Sequence, residues 1–256
     1  LAPTGPLATQ SAPPCGASQT HALRAWSISY VVPVLQFKKE RVDLGSGVLV
    51  NNSGHHFVAT ARHCIDADVR VIRSTNPLHH VGSTSSRPLN ILNRGWHDTL
   101  DLGYLEIEDP ECAELGWGQL SNDRIVSGMA QFVGYPEELV ERIHTLPGKL
   151  TDVSLAAGTF GTTLTEETDD RMTFNFPAIG AKYDHVTGTW CDSPFPKTPR
   201  GFSGGACFGV AKPPGPIAHV QYRLLAIQHA WNERNRCVFA VPIKRWCELL
   251  IAHGLV

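Results

Sequence analysis

The segment Pro199–Gly209, PRGFSGGACFG, sets one serine, Ser203, among glycines. A serine hydroxyl is a weak nucleophile at neutral pH. It needs a base within hydrogen-bond reach, a group that orients the base, and donors for the oxyanion formed when it attacks a carbonyl. Flanking glycines let the backbone turn so that successive N–H groups converge on one point. Taken alone, the segment fits a glycine-serine turn as well as a nucleophile. Two further stretches bear on the choice. VATARHC closes a β-like run with His63, and DTLDLGYLEIE opens another with Asp101, giving the chain order His, Asp, Ser. The spacing G-x-S-x-G of GFSGG also occurs in α/β-hydrolases, but those order their triad Ser, Asp, His and need helices between strands, and this chain has neither. Asp98 is the rival acid in HDTLDLG; Asp101 is preferred because an apolar β pattern follows it directly.

The elements that must position these residues are mostly strands. Residues 1–25 are rich in Pro, Ala, Ser, Thr and Gly and read as a tail or linker. From Trp26 onward, WSISYVVPVLQF, GSGVLV, HHFVATA, VRVI, LNIL, LGYLEIE, MAQFVGYP, GKLTDVSLA, MTFNFP, GACFGV, YRLLAIQHA and RCVFAVPI alternate or run apolar, separated by Gly, Pro, Asn and Asp. That pattern is all-β. So many strands exceed one small barrel, and two barrels joined near residues 115–125 are the economical arrangement. The expected domains are an N-terminal barrel over 26–120, a C-terminal barrel over 121–243, and a helix over 244–256. In the last of these Trp246, Leu249, Leu250 and His253 keep helical spacing and Gly254 is a stop.

Composition excludes several classes of function. Hydrophobic residues make up 42% of the chain, the formal net charge is −2, and no long Lys/Arg run occurs, so neither a nucleic-acid nor a membrane partner is expected. The histidine pairs at 55–56 and 79–80 would point to opposite faces of a strand, and no metal site is expected. The seven cysteines form no CxxC pair and are expected to be largely reduced.

Six stretches taken in order resemble the trypsin/chymotrypsin-like serine peptidases, in their bacterial-type branch: GSGVLV, TARHC, DLGYLEI, VGYP, GFSGGA and FAVPI. They run from about Gly45 to Ile243, with Asp101 38 positions after His63 and Ser203 102 positions after Asp101. The resemblance implies two six-stranded antiparallel β-barrels with the active site between them, and no cofactor. It makes Ser203 the nucleophile, His63 the base, Asp101 the group that orients the imidazole, and the N–H groups of Gly201 and Ser203 the oxyanion hole. The substrate would be a protein or peptide.

Phe202 departs from the aspartate that pairs with a newly cut N-terminus in digestive-type members. It is expected either to pack and set the oxyanion loop or to leave that loop disordered until a substrate or an activating protein partner arrives. A catalytically silent or partner-gated binding module is therefore the alternative to a peptidase. Cys64 has no cysteine opposite it in DLGSGVLV, so the bridge that the resemblance implies cannot form in the usual way; this fits either a reducing compartment, with a cytoplasmic location slightly favoured over secretion, or a chain that does without the bridge. Lys197, Arg200, His229 and Trp231 are expected to contact substrate. Lys197 and His229 would favour an acidic P1 side chain; a small or apolar P1 is the competing expectation.

Overall fold

The computed structural model describes residues 26–38, 41–74, 86–121, 129–146, 149–155, 157–176, 179–184, 189–194, 198–211 and 221–256. The predicted tail, His79, His80 and Lys197 lie outside the described residues.

The first sheet contains β1 (Val31–Phe37), β2 (Val42–Asn52), β3 (His55–Thr60), β4 (Asp68–Ser74), β5 (Ser86–Pro88), β6 (Ile91–Trp96), β7 (Gly103–Ile107) and the short β8 (Leu115–Gly116). Its order is β5-β4-β1-β2-β3-β7-β6, with β8 alongside β2 in parallel, and it curls into a half-barrel. The predicted NNSG turn joins β2 to β3. Asn52 pairs with His55, and both loop residues, Ser53 and Gly54, have positive φ, which matches the right-handed twist of a tight hairpin.

The second sheet contains β9 (Met129–Gly134), β12 (Gly158–Glu167), β13 (Met172–Asn175), β14 (Ile179–Asp184), β15 (Thr189–Pro194), β16 (Ala206–Ala211), β17 (Gln221–Asn232) and β18 (Cys237–Pro242). The order β13-β18-β17-β16-β9-β12 returns to β13, so these six strands close a barrel, while β14 and β15 extend from β12. A separate hairpin joins β10 (Val140–Leu146) and β11 (Lys149–Leu155). The architecture is the expected double barrel of chymotrypsin-like type.

The packing follows the period of two. Leu49 of VLV points into the first barrel with Val34, Val58, Val71 and Leu105. Its neighbours Val48 and Val50 face the other way, into a cluster that spans the seam and includes Phe57, Tyr104, Val133, Phe208, Ile227 and Trp246. The second barrel is filled largely by aromatics, with Phe132, Phe160, Phe174 and Phe202 all fully buried. Where the chain crosses between barrels, Ser121 N donates to Leu224 O at 2.9 Å and docks the crossing on β17.

Helix α1 (Ile243–Ala252) buries Trp246, Leu249 and Leu250. It ends before the predicted limit because Gly254, at φ +69°, reverses the chain. Leu255 N then bonds Leu250 O and Gly254 N bonds Ile251 O, both at 3.0 Å, the pairing of a Schellman stop. Trp246 Nε1 donates to Gly103 O at 3.1 Å, and Tyr104 OH meets His253 Nδ1 at 3.0 Å. The last helix therefore braces the start of β7, two residues beyond Asp101.

Candidate active site

His63 sits in a single 3-10 turn, Arg62–Cys64, that follows β3. The buried Gln36 of β1 donates Nε2 to His63 O at 3.0 Å and also bonds Asp66, which fixes the turn from beneath. Asp101 lies at the end of a tight loop. His97 N donates to Leu102 O at 2.9 Å, and His97 Nδ1 accepts from the N–H groups of Thr99 and Leu100, each at 3.2 Å. Fully buried Leu102 anchors the loop in the seam cluster.

These two loops bring His63 and Asp101 into direct contact. Asp101 Oδ1 accepts from His63 N at 3.0 Å, and Oδ2 accepts from His63 Nδ1 at 2.6 Å. A carboxylate only accepts, so Nδ1 carries a proton, and in the neutral imidazole it is Nε2 that holds the lone pair. Asp98 instead meets Arg62 Nη1 through its carbonyl, at 3.2 Å. The bond from Asp101, helped by Cys64, raises the His63 pKa to about 10. Burial pushes the Asp101 carboxyl upward, but bonding from His229 and His63 outweighs it and holds the group below the usual carboxylate range.

The loop of Ser203 can be accounted for plane by plane, since each trans peptide points its C=O and the next N–H in opposite directions. Arg200 O accepts from Glu137 N at 2.8 Å, Gly201 O from Ser46 Oγ at 2.8 Å, Phe202 O from Gly205 N at 2.7 Å, and Ser203 O from Ser46 N at 2.7 Å. Phe202 N donates to Pro199 O at 3.1 Å and Gly204 N to Gln228 O at 2.7 Å. Among the described residues the N–H groups of Gly201 and Ser203 have no acceptor. Two unpaired donors, two residues apart and flanking Phe202, are what an oxyanion hole requires. Gly201 and Gly204 both have φ +85°, and a Cβ would overlap Tyr135 O at the first and Ser46 O at the second, so the loop admits only glycine there.

Ser203 O also lies 3.4 Å from the thiol of Cys64, the residue after His63, so the nucleophile loop abuts the histidine turn. Among the described residues no hydrogen bond joins Ser203 Oγ to the imidazole; such bonds are often long in the absence of substrate.

The residues expected to contact substrate fall in different places. Arg200 is exposed at the mouth of the loop. Trp231 is half-buried at the edge of the second core, its ring 6.1 Å from that of Phe176. His229 Nδ1 lies 3.7 Å from Asp101 Oδ2, against the acid that orients His63. Phe202 is fully buried, its ring 5.5 Å from Phe160. His55 pairs with Glu106 and His56 with Glu114, and no group of three or more potential metal ligands occurs among the described residues. Cys64, Cys207 and Cys247 are buried free thiols. Sequence reasoning missed Ser46, His97 and Gln36. Ser46 had a signal, its place in GSGVLV, but the partners of its hydroxyl lie far away in the chain.

The chain matches no protein-family model and no curated protein. Its fold does match solved structures. The serine endoprotease from Yersinia pestis is 17% identical over 94% of this chain and 68% of that one, with a TM-score of 0.53. The protease Anisep from Arthrobacter nicotinovorans is 11% identical over 84% and 90%, at 0.51. A scabies mite inactivated protease paralogue is 13% identical over 88% and 96%, at 0.53. The chain therefore has the trypsin-like serine protease fold. Since these neighbours include an inactivated paralogue, activity has to be argued from the residues of the site.

Proposed function

We propose that the protein is a serine endopeptidase acting by acyl transfer. Ser203 Oγ attacks the scissile carbonyl, and His63 Nε2 takes its proton and returns it to the leaving amine. Asp101 holds the imidazole in the tautomer that leaves Nε2 bare, and the N–H groups of Gly201 and Ser203 receive the oxyanion. Water then releases the acyl group by the same steps, and no cofactor is needed. The observation that carries this reading is the two-point hold of Asp101 on His63, at 2.6 and 3.0 Å, in a turn that abuts the serine loop. The anchoring of that loop speaks against the partner-gated alternative, which calls for a hole that is not yet formed. With His229 drawn to Asp101, an acidic P1 rests on Lys197 alone, and a small or apolar P1 is favoured.

The test is labelling by a fluorophosphonate. Wild type should be labelled at Ser203 and Ser203→Ala should not, and Ser203→Ala should lower peptide turnover by about 10⁶-fold. Folded wild type that neither labels nor cleaves any member of a peptide library would refute the proposal.

A further inference from the structure

Ser46 belongs to the first barrel, yet most of its bonds go to the second. It is fully buried on β2. Its N–H donates to Ser203 O at 2.7 Å, its hydroxyl donates to Gly201 O at 2.8 Å, and Oγ accepts from Tyr135 N at 2.9 Å. Its own carbonyl accepts from Thr60 Oγ1 at 2.7 Å, on the strand that leads to His63. The direction of the hydroxyl bond is fixed. Tyr135 N–H can only donate and Gly201 O can only accept, so the single hydroxyl proton must go to Gly201.

The consequence lies in the peptide planes. The two free donors belong to the 200–201 and 202–203 planes. The 201–202 plane stands between them, and its carbonyl is the one that Ser46 Oγ holds. That plane sets the angle between the two donors. Its N–H end is held within the loop, where Phe202 N donates to Pro199 O at 3.1 Å, and its carbonyl end is held from the other barrel, by Ser46 Oγ at 2.8 Å. Resting on the peptidase reading above, we infer that Ser46 is a positioning residue that assembles the oxyanion hole across the seam between the barrels. It takes the place of an ion pair at residue 202, which Phe202 cannot make, so the hole is formed once the barrels dock, without a separate activating event.

Ser46→Ala removes the hydroxyl and keeps the backbone bond to Ser203. It should lower kcat on a peptide amide by about 10- to 100-fold, below the loss typical of deleting a donor outright, with KM unchanged. Affinity for a peptide boronate, whose tetrahedral adduct carries an oxygen in the hole, should fall by the same factor. Ser46→Thr, which keeps the hydroxyl, should recover most of both. A general loss of packing would not couple kcat to boronate affinity in this way. If the alanine variant does not fold, Ser46→Cys, similar in size with a weak donor, gives the same readout. Wild type that cleaves peptides while Ser46→Ala keeps kcat and boronate affinity within about twofold would overturn this inference alone. Wild type that does not label would overturn the peptidase reading and this inference with it.

Discussion

Phe202→Ala should separate the packing of the nucleophile loop from its hydrogen bonds. The side chain is 0% exposed and points into the cluster of Phe132, Phe160 and Phe174. Truncating a buried phenylalanine costs roughly 3–5 kcal/mol, and the value within that range depends on how far the surroundings can collapse. Here they collapse poorly. The ring lies against bare backbone at Gly134 and Gly158, where a Cβ would stand 2.8 and 3.3 Å from ring atoms, so no side chain there can turn into the space. The upper half of the range is therefore expected, about 4–5 kcal/mol. In a urea titration that moves the midpoint down by roughly 1.5–2 M for a slope near the top of the usual range. Since Phe202 lies between the two N–H groups proposed to receive the oxyanion, kcat per folded molecule should fall as well, measured in buffer where the variant remains folded. A variant within about 1 kcal/mol of wild type and with unchanged kcat would refute the claim that this ring anchors the loop. Phe202→Asp should cost at least as much, because it puts a carboxylate among phenylalanines.

The His63–Asp101 pair predicts two pH effects. With the His63 pKa raised from 6.5 to about 10, kcat/KM should fall as acid protonates Nε2, and this limb should lie above 6.5 in a pH-rate profile; Asp101→Asn should move it down toward 6.5 and lower kcat by about 10⁴-fold. The pair's contribution to stability is full where Asp101 is ionised and His63 protonated in both folded and unfolded chains. The wild-type advantage over Asp101→Asn should thus be greatest between about 4 and 6.5, shrink as pH rises toward about 10, and also shrink as pH falls below 3.8; denaturation across pH measures it. His229→Leu should lower kcat by roughly 3- to 10-fold through Asp101 while leaving P1 preference in a peptide library unchanged, and a changed P1 preference would return His229 to the substrate pocket.

Much of the site was legible because its residues sit in short stretches whose local chemistry is self-contained. Two of the three glycines of GFSGG, Gly201 and Gly204, mark positive φ, and the apolar run after Asp101 distinguishes it from Asp98. His229 was not legible in this way. In β17, Gln228 pairs with Ala240 and Ala230 with Phe239, so His229 is the extra residue of a bulge. A bulge redirects a side chain against the alternation from which a strand is read, and this one brings His229 to Asp101. The barrel-closing strand was missed for a different reason. GTFGTTLTEE is absent from the predicted strands, its threonines and glutamates giving no apolar run, yet it forms β12, bonded to β9, β13 and β14. Its buried threonines are satisfied by backbone, Thr159 Oγ1 by Phe132 O at 2.7 Å and Thr162 Oγ1 by Asn175 O, so these hydroxyls are buried without an unmet bond. Ser46 was hidden by distance, since its hydroxyl partner Gly201 lies 155 residues further along the chain.

The same long-range bonds explain why the site lies at the seam rather than within either barrel. His63 and Asp101 come from the first barrel, but Asp101 is contacted by His229 of the second. Ser203 comes from the second barrel, but the carbonyls of Gly201 and Ser203 are held by Ser46 of the first. Helix α1 follows the last strand of the second barrel and bonds Gly103 in the first. Each half thus supplies groups whose orientation the other half fixes. A barrel folded alone would have the residues but not their alignment, and a loss of about 1 Å in placement is enough to cost about 10²-fold in rate. Docking of the two barrels is on this argument the event that makes the site. On the peptidase reading, the fully buried cluster of Val48, Val133, Phe208, Ile227 and Trp246 would then contribute to catalysis without touching substrate.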